Sequence, residues 1–391
     1  MRPAPPPRAS APFDPLLLLS ALALTAVGAV MVYSASAVVA EKQLHDQFHF
    51  LVRQVVAAGL GLVLLLVALR LGPAKLSKLA YPLLIVTIIA LVAVLIPGIG
   101  RKAGGARRWI DLGVISFQPA EAAKIALVLF LARSLSRKNP EQLRTFSIGV
   151  APHAVVAGLL MALCLLEKDF GSCVVLGVVL AIVLFSAGVR FTHLAGIALV
   201  AAPFAWWAIA GNDYRVRRIE AWKNPFDYRE GAGFQMVESL LGIGNGGWFG
   251  QGLGQGKGKL FYLPAAHTDF IGAVVAEETG LVGMALLVLL YAIFVWRGLR
   301  AAFRAADPFS CWVALGITSL VGVQALLNLS VVLVLLPTKG LTLPFVSYGG
   351  SSLITLLAAT GVLLAVSGAR GGFLREPDLA VRVEPGAEVA R

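Results

Sequence analysis

Apolar residues along the chain come in long runs separated by short polar breaks. A bilayer crossing takes about 20 consecutive, predominantly apolar residues. Ten stretches meet that description: 14–36, 49–70, 78–98, 116–134, 146–166, 171–189, 193–211, 269–296, 309–336 and 346–368. The predicted fold is an all-α polytopic membrane protein with ten transmembrane helices. The first run ends near Ser34-Ala35-Ser36-Ala37, which looks like a signal-peptide cleavage site. The run is longer than an ordinary signal-peptide core, so it is read as a retained first span. Between spans 7 and 8 lies a large outer loop, 212–268. The Pro/Ala-rich residues 1–13 and the short polar tail 369–391 are expected to be disordered, flanking a membrane domain of 14–368. No internal repeat is visible.

Composition agrees with that pattern and narrows the function. The 391 residues are 58% hydrophobic and 14% charged, with a mean hydropathy of +0.83. A soluble domain carries about 25% charge, so a soluble enzyme is excluded. The net charge is +12. About half of the 33 Lys and Arg fall in short loops on one side together with both termini, which places the termini in the cytoplasm by the positive-inside rule. The outer basic residues, including Arg101, Lys102, Arg107, Arg108, Lys168 and Lys339, oppose that rule and point to an anionic ligand at the outer leaflet. Basic residues scattered between apolar spans argue against nucleic acid. Cys164, Cys173 and Cys311 lie in apolar runs and read as core residues, not as a disulfide or zinc set. The five histidines lack metal-ligand spacing.

Five clusters could carry chemistry. Arg107-Arg108-Trp109 is followed by Gln118-Pro119-Ala120-Glu121, where Pro119 suits a first helical turn and Glu121 can pair with Lys124 three residues on. A polar turn, Glu167-Lys168-Asp169, separates spans 5 and 6. Within the outer loop, Phe234, Val237 and Leu241 recur at helical spacing, which predicts a short helix lying in the membrane interface. The surrounding glycine-rich stretch 231–258 reads as unpacked backbone able to wrap a diphosphate, helped by Lys257 and Lys259. His267-Thr268-Asp269 opens span 8. There Asp269 is either a helix N-cap or a carboxylate poised as a general base. Glu277 and Glu278 lie two turns deeper and could pair with Arg53, another ionisable group inside a span. Last, residues 336–352 form a Pro/Gly-punctuated stretch at membrane depth, tolerated only where it is buried or lines a cavity. It holds Lys339, Ser347, Ser351 and Ser352, with Gln324 and Asn328 upstream.

These motifs, in this order over nearly the whole chain, resemble the SEDS family (shape, elongation, division and sporulation proteins). The Pro337-Thr338-Lys339-Gly340 form resembles its division branch. The chain departs from the family pattern at Glu167-Lys168-Asp169, at Ala120 and at Asn224 before Pro225. The resemblance implies a peptidoglycan glycosyltransferase of the bacterial inner membrane, acting at the division septum. It would polymerise lipid II onto an undecaprenyl-linked glycan strand, beside a class B penicillin-binding protein as transpeptidase and other division proteins.

The family's catalytic carboxylate falls on Asp269. Arg107, Arg108, Trp109, Gln118, Glu121, Lys124, His267, Thr268, Lys339, Ser347, Ser351 and Ser352 are then expected to bind diphosphate or sugar. A divalent cation, Mg or Mn, could assist; no metal ligands are assigned. Two other readings stay open. A lipid II flippase needs a polar path to the cytoplasm, and a non-enzymatic scaffold for the transpeptidase would leave Asp269 replaceable.

Overall fold

The computed structural model describes residues 13–103, 105–111, 113, 116–211, 213–256, 267–338 and 340–368. The expectations for Lys257, Lys259, Lys339, residues 1–12 and the tail 369–391 lie outside the described residues. The chain is mostly helical, and each of the ten apolar stretches falls largely on helix. Among the described residues, six helices are long and apolar enough to cross a membrane.

The helix α1 (Pro15–Leu44) starts on Asp14, whose side chain accepts from the N–H groups of Leu16 and Leu17. Predicted spans 2 and 3 form one run, α2 (His49–Leu95), broken at Gly72 (φ 69, ψ 166) just ahead of Pro73. An unbroken helix of 47 residues would be about 70 Å long. That is too long for one crossing. Arg53, near its start, lines the same cavity as Arg108, and the Leu95 carbonyl at its end accepts from Arg107. The two halves therefore return to the same end of the molecule. Gly72 permits the reversal because its positive φ carries no Cβ penalty.

A three-stranded antiparallel sheet follows, β1 (Gly100–Ala103), β2 (Ala106–Asp111) and β3 (Ser116–Phe117). It corrects the all-α expectation. These strands are too short and too charged to show period-2 alternation. Then come α3 (Pro119–Leu135), the short α4 (Pro140–Leu143), and a π-helical turn (Phe146–Val150) leading into α5 (Ala151–Leu166). Next are α6 (Phe170–Ser186) and α7 (Phe191–Ala210). Phe191, Leu199, Phe204, Trp206 and Trp207 on α7 are exposed.

Among the described residues, the loop 212–268 holds two helices, α8 (Asp213–Lys223) and α9 (Phe234–Gly246). The helix expected from Phe234, Val237 and Leu241 exists, but it packs on protein. Met236, Val237, Ser239, Gly242 and Gly246 are buried against the start of α10 (Ile271–Phe303), while Leu241 faces outward. The bundle closes with α11 (Pro308–Val332) and α12 (Gly350–Gly368). The core is centred on α12 against α2, and on α11 against α3 and α10. The three cysteines are buried and free, as expected of core residues.

Predicted span 8 is also broken. Gly280 (φ 67, ψ −164) interrupts α10 two turns in. The glycine-rich segment read as unpacked backbone repairs this break. The N–H groups of Gln251 and Gly252 donate to the carbonyls of Glu277 and Glu278, and those of Leu281 and Val282 donate to the carbonyls of Gly247 and Trp248. Backbone groups freed by a break at membrane depth must find such partners. Glu278 is anchored by the Ser34 hydroxyl (2.6 Å) and the Gly254 N–H (3.1 Å).

Candidate functional site

At the end of the bundle where α10 and α12 begin lies a cavity of about 450 Å³. Its walls come from α2 (Arg53), the sheet (Arg101, Arg108, Trp109, Ser116), the start of α3 (Gln118, Glu121), the turn before α10 (Thr268, Asp269), and the segment from Gly340 to Ser352. Of the sequence-predicted residues, Arg108, Trp109, Gln118, Glu121, Thr268, Asp269, Ser351 and Ser352 line it.

Arg107, Lys124, His267 and Ser347 do not line it, and each has a physical reason. Alternation along a strand would separate Arg108 from Trp109. The register slips between Arg101 and Lys102, with Arg101 opposite Trp109 and Lys102 opposite Arg107. Arg108 is thus the extra residue of a β-bulge, a device that re-aims side chains. Arg108 and Trp109 both reach the cavity, while Arg107 turns back to the Leu95 carbonyl (3.5 Å). Lys124 is buried behind the wall, bound to Glu121 (2.8 Å) and to Gln324 Oε1 (3.1 Å). The His267 ring lies 4.8 Å from Phe50 and 5.6 Å from Tyr348, and burial pushes its pKa down. Ser347 is a tether: its hydroxyl donates to the Thr268 carbonyl (2.6 Å) and accepts from the Leu343 N–H (2.7 Å).

Asp269 is not the N-cap of α10, a position held by Phe270 without any side-chain cap. The Asp269 backbone is fixed from α11 by Asn328 Nδ2, which donates to its carbonyl (2.9 Å) and to that of Leu341 (2.6 Å). The Tyr348 N–H donates to the His267 carbonyl (2.8 Å). The Pro/Gly-punctuated segment therefore clamps the turn that carries Asp269. At Gly340, where φ is +68, an added Cβ would lie 3.5 Å from Asp269 Oδ2. Burial raises the Asp269 pKa to about 6; Arg218 and Arg108 hold it down, and Asp169 pushes it up. Such a carboxylate is ionised at neutral pH yet basic enough to take a proton.

Arg108 owes its position to the turn between α5 and α6. Its Nε donates to the Glu167 carbonyl (3.1 Å) and its NH2 to the Lys168 carbonyl (2.6 Å). Asp169 caps α6 through the Ser172 N–H and hydroxyl, and accepts from Gln118 Nε2 (3.2 Å). Ser351 ties the opposite wall to the sheet, donating to the Ser116 carbonyl (2.6 Å) and accepting from the Gln118 N–H (2.9 Å).

Sequence reasoning did not assign two cations to this site. Arg53 was noted as an intramembrane charge and paired in expectation with Glu277 or Glu278. Instead it lines the cavity and makes no hydrogen bond or ion pair among the described residues. Its isolation in an apolar run was the available signal. Arg218 on α8 donates to the Thr338 carbonyl (3.2 Å), which brings its charge close to Asp269. Nothing in sequence set it apart from its basic neighbours Arg215 and Arg217.

Among the described residues, the carboxylates that line the cavity are Asp269 and Glu121, and Glu121 is committed to Lys124. Among the described residues, no group of three or more His, Cys, Asp or Glu gathers to hold a metal ion. This donor set does not fit a protein-built cation cage.

The FtsW/RodA/SpoVE family model, described as a cell cycle protein, matches residues 14–371. A probable peptidoglycan glycosyltransferase FtsW from Geobacter metallireducens is 47% identical over 355 residues, covering 91% of this chain and 94% of that protein. Stage V sporulation protein E of Bacillus subtilis is 39% identical over 90% of this chain and 96% of its own length. Among solved structures, a chain of a peptidoglycan synthase complex aligns with a TM-score of 0.74 at 31% identity, covering 91% of this chain and 97% of that one. The rod shape determining protein RodA of Thermus thermophilus aligns with a TM-score of 0.67 at 31% identity, over 92% and 98%.

Proposed function

The chain belongs to the FtsW/RodA/SpoVE family, and on that premise we propose that it is a peptidoglycan glycosyltransferase that uses Asp269 as general base. The substrate is lipid II, polymerised at the outer leaflet of the bacterial inner membrane during septal wall synthesis. In this reading the ten apolar stretches are ten spans, both termini are cytoplasmic, and the cavity opens outward. A class B penicillin-binding protein is the transpeptidase partner; likeness to a chain of a peptidoglycan synthase complex supports this.

Asp269 takes the proton from the 4-hydroxyl of the acceptor sugar. That oxygen forms a bond to the anomeric carbon of the donor strand as the bond to undecaprenyl diphosphate breaks, which inverts the anomeric centre. Arg53, Arg101 and Arg108 on the facing walls offset the charge of the departing diphosphate. One base suffices because the leaving group is already good, so the paired carboxylates of glycoside hydrolysis are not needed.

The observation that carries this reading is a carboxylate with its pKa raised to about 6, in a cavity with three arginines in its walls. A flippase is less well supported. Glu277 and Glu278, which could mark its path, are buried where the outer loop is stitched to α10, and Glu278 is held by Ser34.

The test is polymerisation by the purified protein with its partner and lipid II. Wild type is expected to make glycan polymer. Asp269→Asn, which keeps the shape and loses the base, is expected to slow it by roughly 10²–10⁴-fold. Full activity in the variant would overturn the assignment, and lipid translocation without polymer would favour the flippase.

A further inference from the structure

The segment that repairs the break in α10 carries an apolar edge of its own. Trp248 is 70% exposed, Phe249 82% and Leu253 61%. No charged residue falls between Ser239 and Gly256. The height of this edge along α10 is fixed by backbone hydrogen bonds. The Leu281 N–H donates to the Gly247 carbonyl (2.9 Å) and the Val282 N–H to the Trp248 carbonyl (3.1 Å).

Those two residues stand where the surroundings of α10 change. Ahead of the break the helix is wrapped in protein, and Ile271 to Glu278 are all buried. Beyond it Leu281, Val282, Leu286 and Leu289 are exposed, and no charge appears before Arg297. An uncharged, outward-facing stripe on a helix long and apolar enough to cross a membrane faces lipid. Trp248 and Phe249 sit at the upper end of that stripe. At its lower end Trp296 is exposed beside Arg297. Tryptophan gathers at both membrane interfaces. From Val282 to Trp296 is about 21 Å of helix, less than the hydrocarbon thickness of about 30 Å. With Trp296 at one boundary, Trp248 reaches the other from within. The segment's backbone suits such a place. The N–H groups of Gly250, Gln251 and Gly252 donate to the carbonyls of Gly246, Glu277 and Glu278, so they do not need water.

We propose that Trp248, Phe249 and Leu253 insert into the lipid interface and fasten the loop 212–268 to the membrane face on which Asp269 lies. Because α9 ends at Gly246, two residues before Trp248, the same anchor holds α9 against the start of α10. The inference rests on the topology proposed above, in which α10 crosses the bilayer with Arg297 at the cytoplasmic face, and not on the chemistry assigned to Asp269.

Fluorescence quenching in phosphatidylcholine–phosphatidylglycerol nanodiscs tests it, on the full-length protein alone and with its transpeptidase partner. Trp248→Cys and Phe249→Cys are each labelled with bimane; the three native cysteines are buried. Both side chains point away from the protein, so both variants should fold. A phospholipid bearing a nitroxide high on its acyl chain is expected to remove most of the emission at both positions, and aqueous iodide to remove little. Arg144→Cys, an exposed polar site, should show the reverse. Quenching at 248 and 249 by iodide and not by the lipid overturns the proposal. Lipid quenching that disappears when the partner is present would give the edge to that protein and also overturn it. Leu286→Cys, on the stripe of α10, keeps the readings apart. Lipid quenching there with iodide quenching at 248 and 249 defeats this inference alone, whereas iodide quenching at 286 defeats the reading of α10 as a span. Polymerisation by the same preparations bears on the enzymatic reading alone.

Discussion

Asp269 is a carboxylate weakened as an acid by burial and partly restored by two guanidinium groups, so its environment can be titrated by mutation. Polymerisation is expected to fall as pH drops through about 6, where Asp269 takes up its proton, and to level off above. Arg218 lowers that pKa. Arg218→Gln should therefore move the acid limb of the pH–rate profile to higher pH, and Arg218→Lys should leave it nearly in place; an unmoved limb in the Gln variant would refute the electrostatic role. Glu167 presents the opposite case. It is buried, neither carboxylate oxygen has a hydrogen-bond partner among the described residues, and burial together with Asp169 raises its pKa from 4.5 to about 8. The folded protein thus holds a proton that the unfolded chain releases. The stability this supplies is full below about 4.5 and is lost as pH rises through about 8. Glu167→Gln has no such proton to lose, so its Tm advantage over wild type should grow between pH 5 and 8 in detergent scans. A constant gap would mean that Glu167 is ionised and paired. At this scale the sequence was legible where one residue stood alone: Asp269 ahead of an apolar run, Arg53 inside one. Arg218 was illegible because its role depends on where α8 docks.

Helices were legible as apolar runs, but their interruptions were not. Gly280 looked like any glycine in a span, and only the docking of 247–252 shows why it is needed. Its φ of 67 and ψ of −164 lie where essentially only glycine goes, and an added Cβ would meet the backbone of Trp248. Gly280→Ala is expected to cost about 1–3 kcal/mol from backbone strain alone, read as a lower Tm. Gly244→Ala is the control. It lies inside α9 with nothing near its Cβ position, so it should be neutral or stabilising by roughly 0.5–1 kcal/mol. Equal effects of the two would show that the stitched break does not hold the outer loop. The bulge at Arg108 was hidden for a similar reason. A strand's register is set by its partner, and β1 is only four residues long, so the sequence could nominate Arg107 and Arg108 together but not choose between them.

For the whole molecule, the hydrophobic pattern carried the membrane-spanning helices, and the charge bias carries the proposed orientation. Neither encodes the convergence of α2, the sheet, the turn before α10 and the segment after Gly340 on one cavity, because those elements are far apart in sequence and meet only through packing. The orientation makes a prediction that this convergence sharpens. Arg101 is exposed at the cavity end and Arg144 is exposed on the loop between α4 and the π-helical turn. If both halves of α2 cross the membrane, as the proposed topology has it, a cysteine at Arg101 should react in intact cells with a maleimide that cannot cross the inner membrane. Cysteines at Lys75, just past the Gly72 reversal, and at Arg144 should react only after the inner membrane is permeabilised. The background should be low because Cys164, Cys173 and Cys311 are all buried. Labelling at Lys75 from outside would mean that α2 does not cross twice. The ten-span count would then fail, even though the cavity around Asp269 would remain.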